Sequence, residues 1–130
     1  MTPPPSSPPA GPVASPEPLV RFRLRITRDG QVAVGPGKIE LLEAVQRTGS
    51  ITAAAKSLDM SYRRAWLLLD ELNACLKAPA VDSAQGGAHG GGSRLTEAGQ
   101  ELVRLYRHVE HTAERACAAD IERLKDLLAR

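Results

Sequence analysis

The sequence predicts a mainly helical α+β fold, and three patterns in its 130 residues predict it. A strictly alternating run, RFRLRIT, is followed by a turn signal and two more alternating valines. Between Pro36 and Leu76 three segments repeat their apolar residues at helical spacing, with capping residues between them. A fourth helical pattern runs from Thr96 almost to the last residue. The length suits one domain with a modest core, and 42% hydrophobic with 25% charged residues is ordinary for a soluble protein. Aromatic residues are scarce (Phe22, Tyr62, Trp66 and Tyr106), so the core is expected to rest on Leu, Val, Ile and Ala.

Several classes are set aside at once. No apolar run approaches the roughly 20 residues that span a bilayer, so no membrane is expected as a partner. No basic start followed by an apolar stretch suggests a secretory signal. Cys75 and Cys117 have no partner spacing, which reads as reduced, packed thiols of a cytoplasmic protein. A nucleophile–base arrangement, paired carboxylates and cofactor motifs are all missing, so neither an enzyme nor a cofactor is expected.

Residues 1–19 begin with MTPPPSSPPAGPVASPEP, which holds eight of the ten prolines and one charge. Such a segment cannot bury enough apolar surface to offset the entropy of ordering it, so a disordered or polyproline-like tail is expected. Structure is expected to start at Arg21. Phe22, Leu24 and Ile26 fall on one face of a strand, and Arg21, Arg23, Arg25 and Thr27 on the other. Asp29-Gly30 tolerates the positive backbone angles of a two-residue hairpin turn, and Val32 and Val34 continue the alternation. Because an isolated hairpin is marginal in water, this one must pack on something.

Gly35-Pro36-Gly37 opens the first helix, with Pro36 where a helix lacks amide partners anyway. Ile39, Leu42 and Val45, flanked by Leu41, form its apolar face, and Gly49 is its stop. Ser50 caps a short second helix whose Ile51, Ala54, Ala55 and Leu58 follow the i, i+3, i+4, i+7 rule. Asp59-Met60 turns the chain, and Ser61 caps a third helix, Ser61 to Leu76, with Ala65, Leu69 and Leu72 inward. A short strand at Ala80–Ser83, the glycine-rich QGGAHGGGS and Arg94-Leu95 follow, and then Thr96 caps the last helix.

The segment from Ser50 to Asn73 carries the functional signal. Two helices joined by three or four residues, with small alanines where they cross, form a helix-turn-helix, whose second helix enters the DNA major groove by its first turns. That second helix begins with Ser61, Tyr62, Arg63 and Arg64. Arginine can donate two parallel hydrogen bonds to guanine, and a serine or tyrosine hydroxyl can reach a phosphate or base edge. With Ala65, Leu69 and Leu72 inward, Arg63, Trp66 and Leu67 point away and Arg64 lies at the flank. Charge agrees: Ala44–Arg64 holds Arg47, Lys56, Arg63 and Arg64 against the single acid Asp59, whereas Glu97–Arg130 is nearly neutral. An ordinary solvated basic face is the alternative. The glycine-rich segment lacks the Gly-Lys-Ser/Thr of a phosphate cradle. It suits the tip of a wing, with Arg94 as its main DNA contact and His89 a weaker one, against the alternative of a plain loop.

At this point GKIELLEAVQRTGSITAAAKSLDMSYRRAWLLLDELN, followed by GGAHGGGSRLTEAG, resembles the N-terminal DNA-binding domain of ModE-type molybdate-responsive transcription regulators, which are relatives of the LysR-type winged helices. The resemblance runs from about Leu24 to Arg107. It implies a recognition-helix role for Ser61, Tyr62, Arg63, Arg64 and Trp66, phosphate contacts for Ser50, Thr52 and Lys56, and the wing role for Arg94. Regulators of that family sense molybdate through a separate C-terminal portion. The sequence in hand ends at Arg130 without one, so the effector is open and molybdate stands only on the resemblance.

The fold expected is a winged helix-turn-helix over residues 20–96 with an N-terminal β-hairpin, and a long C-terminal dimerisation helix over residues 97–130. In that helix Leu102, Tyr106, Val109, Ala113, Cys117, Ile121, Leu124 and Leu128 recur about every 3.7 residues, near the α-helical period. A nearly straight helix about 45 Å long is expected, longer than a small domain needs to cover itself. The same helix of a second copy is the simplest cover, which predicts a homodimer on double-stranded DNA with half-sites about one turn, or a multiple of it, apart. His108 and His111, with Glu114 one turn on, invite a metal-sensing repressor reading, but no further ligand is placed nearby, so no metal is expected. The other alternative is a winged helix that docks a protein through Trp66 and Leu67.

Overall fold

The computed structural model describes residues 17–83 and 92–129, so the prolines before Glu17, the glycine-rich tip and His89 lie outside the described residues. Among these residues the order is β1 (Ile26–Arg28), β2 (Gln31–Val34), α1 (Pro36–Thr48), α2 (Ile51–Ser57), α3 (Tyr62–Cys75), β3 (Val81–Ser83), β4 (Ser93–Leu95), α4 (Glu97–Ala116) and α5 (Ala118–Asp126). Helices α1, α2 and α3 form a three-helix cluster with an antiparallel two-stranded hairpin before it and another after it. The result is a winged helix-turn-helix.

α1 is the centre of the core. Ile39, Leu41, Leu42 and Val45 are fully buried and meet Ala54, Ala55, Ala65 and Leu72 from α2 and α3. Each such aliphatic burial contributes on the order of 1.5–3 kcal/mol. The alanines let α2 lie close to its neighbours, and Gly49 ends α1 in the left-handed conformation (φ 80) that glycine adopts without strain. Lys38 is also buried, at 7% exposure. Its ammonium donates to the Val32 carbonyl at 2.7 Å and lies 3.6 Å from Glu71, so one paired charge ties the first hairpin to α1 and α3.

The first hairpin differs from the expected strand. Asp29 (φ 53) and Gly30 (φ 80) form the two-residue turn, with Arg28 opposite Gln31. The ladder, however, spans only Ile26–Arg28, because β2 is four residues long before the chain turns into α1 and leaves Arg21–Arg25 nothing to pair with. The alternation survives there, with Phe22 and Leu24 half-buried between exposed arginines. It breaks at Ile26, which is exposed rather than inward. The register slips between Ile26 and Thr27, a bulge that buries the consecutive Ala33 and Val34 and leaves Val32 partly exposed.

The C-terminal helix also departs from the expected single rod. Cys117 (φ −105, ψ 10) breaks it into α4 and α5, and no residue of α5 is buried, so packing does not oppose the break. Tyr106, expected in the apolar stripe facing a partner, goes into the domain's own core at 3% exposure, and Leu102 packs there too. The Tyr106 hydroxyl donates to the Leu24 carbonyl at 2.7 Å, and burial pushes its pKa up. Arg107 reaches Glu43 of α1 through two hydrogen bonds of 2.8 and 2.6 Å and Glu110 through a third of 2.7 Å. The bonds to Glu43, more than those to Glu110, hold this guanidinium firmly protonated. Cys75 and Cys117, expected to pack, are exposed thiols: Cys75 is the last residue of α3, and Cys117 joins α4 to α5, of which no residue is buried.

Candidate nucleic-acid interface

The interface starts with the cap of α3. The Ser61 hydroxyl oxygen accepts the Arg64 backbone N–H at 3.0 Å, which fixes the first turn and aims its side chains. Ala65, Leu69 and Leu72 take the inner side of the helix. Tyr62, Arg63 and Arg64 are therefore exposed on the outer side, as are Trp66 (46%) and Leu67 (47%). Among the described residues neither the Arg63 nor the Arg64 guanidinium makes a hydrogen bond or an ion pair. The nearest acids on the helix, Asp70 and Glu71, lie more than one turn along, and Glu71 is taken up by Lys38.

α2 braces this helix. The Ser50 hydroxyl oxygen accepts the Ala53 N–H at 2.9 Å, so Ser50 is a half-buried cap with its hydroxyl proton still free to donate. Thr52 and Lys56 are exposed on the same short helix. Asp59 (φ 58) makes the tight turn into α3. Arg47 at the end of α1 donates to the Ser57 hydroxyl at 3.3 Å and so joins the ends of α1 and α2.

The wing is the β3–β4 hairpin, with Val81 opposite Leu95, Asp82 opposite Arg94 and Ser83 opposite Ser93. Arg94 is exposed and stands across the ladder from an acid, a neighbour that the sequence did not suggest. The root of the wing is fixed to the helices on both sides. Ser93 N–H donates to the Gly49 carbonyl at 3.0 Å, and Ala80 N–H to the Asn73 side chain at 2.8 Å. Thr96 caps α4 by accepting the Gly99 N–H at 3.0 Å, while its own hydroxyl donates to the Pro79 carbonyl at 2.6 Å.

The structure thus brings Ser61, Tyr62, Arg63, Arg64 and Trp66 together on one helical turn and a half, with Ser50, Thr52 and Lys56 on the bracing helix and Arg94 on the wing. Sequence reasoning passed over Arg25 and Gln31, which share a cleft with Arg64 on the hairpin side of α3. The signal was present in the outward arginines of the alternating run, to which the sequence alone attached no role. His108 approaches Thr112 (3.5 Å) and His111 approaches Glu114 (3.7 Å), each within its own helix. Among the described residues no three His, Cys, Asp or Glu side chains cluster as metal ligands would.

Comparison with known proteins agrees with this geometry. Residues 37–100 match the family described as bacterial regulatory helix-turn-helix protein, lysR family. The chain is 38% identical over 109 residues to the molybdenum transport protein ModE of Azotobacter vinelandii, a match covering 82% of this chain and 40% of that protein. It is 39% identical over 100 residues to the molybdenum-pterin-binding protein MopA of Rhodobacter capsulatus, covering 77% and 37%. Against the DNA-binding transcriptional dual regulator ModE of Escherichia coli K12 it is 41% identical over 71 residues, covering 55% and 27%. The chain therefore spans two fifths or less of the length of these relatives. Among solved structures, the CbnR DNA-binding domain in complex with DNA matches with a TM-score of 0.51 and 25% identity, covering 68% of this chain and 93% of that one.

Proposed function

Residues 37–100 are a LysR-family helix-turn-helix DNA-binding domain of the kind ModE regulators carry, and from that premise we propose that the protein is a dimeric, sequence-specific transcription regulator acting in the cytoplasm. The observation that carries the reading is the pair of arginines on the capped, outward first turn of α3, which have no partner among the described residues. A guanidinium left without a protein carboxylate is available to a guanine edge or a phosphate, and charge-assisted bidentate bonds are the strong ones. Arg63 reads a base, with Tyr62 and Trp66 seated against the groove wall. Ser50, Thr52, Lys56 and the wing's Arg94 contact phosphates, which position the domain without reading sequence.

Dimerisation is proposed through the outer face of α4 and α5. Val109, Leu124 and Leu128 of the expected stripe are exposed, with Leu105 and Leu127 beside them, and Ala113 and Ile121 are half-buried. A second copy of the same face covers such a surface most simply, and two-fold symmetry then matches a pseudo-palindromic site. Sedimentation at tens of micromolar should show a dimer. A 13.9 kDa monomer alone would exclude it. The names of the relatives make molybdenum handling the process we propose for regulation, with the effector left open. Among the described residues no helix is long and apolar enough to cross a membrane.

Selection of bound duplexes from a randomised library tests the whole reading. It should return a motif with two half-sites, and affinity for that motif should fall steeply as salt rises. A second reading rests on the apolar Trp66–Leu67 surface, which could dock a protein. Absence of an enriched motif together with salt-insensitive binding would favour that reading instead.

A further inference from the structure

The two sides of α3 are not alike. Trp66, Asp70 and Asn73 face the root of the wing, where with Ile51 and Val81 they border a small depression. Arg64, Leu68 and Glu71 face the first hairpin, where with Arg25, Gln31 and the entry to α1 they line a cleft of about 430 Å³. Positions 64 and 66 are about 160° apart around a helix, so the wing and the first hairpin flank α3 on opposite sides. A duplex presented to the outward first turn of α3 has a backbone on either side of its major groove. The wing, with α2 beside it through Ile51, serves one of these backbones, and no phosphate contact has been assigned on the hairpin side of α3.

We infer that the N-terminal hairpin is a second phosphate-binding arm: a backbone phosphodiester seats at the mouth of the hairpin–α3 cleft between Arg25 and Arg64. The two arginines come from separate elements, both are exposed, and neither is paired among the described residues. The acid in the cleft, Glu71, is countered by the buried Lys38 ammonium 3.6 Å away, so it does not cancel the arginines. The aliphatic stem of Arg25 runs close by Gly35, while the residue as a whole is exposed at the cleft. Arg21 and Arg23, exposed on the same side of the chain, continue the positive track away from the cleft. The inference rests on the DNA-binding reading above and extends its footprint to a surface the wing cannot reach.

The test uses the whole chain and the duplex that it selects. Arg25→Gln keeps the stem over Gly35 and removes the charge. The salt slope of log K should fall by about one ion, and affinity should drop about 3- to 10-fold for selected and scrambled duplexes alike. Arg25→Lys should restore most of the slope, and the melting temperature should not move in either variant. An unchanged slope in Arg25→Gln, with the wild-type chain binding normally, overturns the inference and leaves the DNA reading standing. A wild-type chain that binds no duplex overturns both. Inorganic phosphate supplies the last arm: saturable binding lost in Arg25→Gln without any change in the DNA slope would mark a site for free oxyanions and overturn the assignment to DNA.

Discussion

Helices α3 and α4 begin in the same way and end up doing opposite things. Each opens on a hydroxyl cap, Ser61 or Thr96, that accepts the N–H of the residue three places on at 3.0 Å. At that third position α3 has Arg64, exposed and unpartnered among the described residues, and α4 has Gly99. A Cβ on Gly99 would overlap the Ala80 carbonyl. The contrast repeats further along. Among the described residues Arg63 and Arg64 have no partner, whereas Arg104 is held by Glu101 and Arg107 by Glu43 and Glu110. A domain that spends its carboxylates on the arginines of one helix and withholds them from another has separated the helix that fixes the fold from the helix that meets a partner.

Substitution at the shared third position should break this symmetry most visibly. Gly99→Ala pushes α4 off the Ala80 backbone just before β3 and should lower stability by about 3 kcal/mol, while Arg64→Ala should change it by no more than about 0.5 kcal/mol. Thermal or denaturant melts of the two variants measure the difference directly, and similar losses in both would erase it. The caps come next. Thr96→Ala loses the cap and the bond to the Pro79 carbonyl, about 2 kcal/mol, whereas Ser61→Ala loses one cap bond, about 1 kcal/mol. Equal costs would mean that the Pro79 contact adds nothing.

Tyr106 gives a smaller effect with a characteristic pH dependence. Its pKa is raised in the folded chain, mainly by burial, so the unfolded chain loses the phenolic proton first. The stability it contributes is complete below the ordinary tyrosine pKa of about 10 and declines as pH rises through the folded value. Tyr106→Phe should cost about 1 kcal/mol at neutral pH through the lost bond to Leu24. It should also flatten the alkaline part of the stability curve. An unchanged alkaline slope would remove Tyr106 as its cause.

Much of this was legible in the sequence because it is local. Caps at Ser50, Ser61 and Thr96, the glycine stop at Gly49 and the Asp29-Gly30 turn depend on a few adjacent residues, and helical spacing alone puts Leu69 and Leu72 inside and Trp66 and Leu67 outside. The misses are long-range. Whether Ile26 faces inward depends on a bulge set by the length of β2, and whether Tyr106 meets a partner or its own core depends on Leu24, 82 residues earlier. The break at Cys117 lies in a stretch whose pattern continues unbroken, where no residue of α5 is buried to keep the helix whole. In the site, the arginines of α3 could be read from spacing. The cleft that joins Arg64 to Arg25 required knowing which side of α3 the hairpin covers.

Arg63, without a partner among the described residues, and Arg107, held by Glu43 and Glu110, differ most directly. Arg63→Ala and Arg107→Ala should be compared for stability and for binding to the selected duplex. Arg63→Ala should weaken specific binding by about 1–3 kcal/mol at unchanged melting temperature. Arg107→Ala should lower stability by about 1–2 kcal/mol, between the limits for exposed and buried pairs, with binding at low temperature intact. Full specific binding by Arg63→Ala would contradict the base-reading role of Arg63.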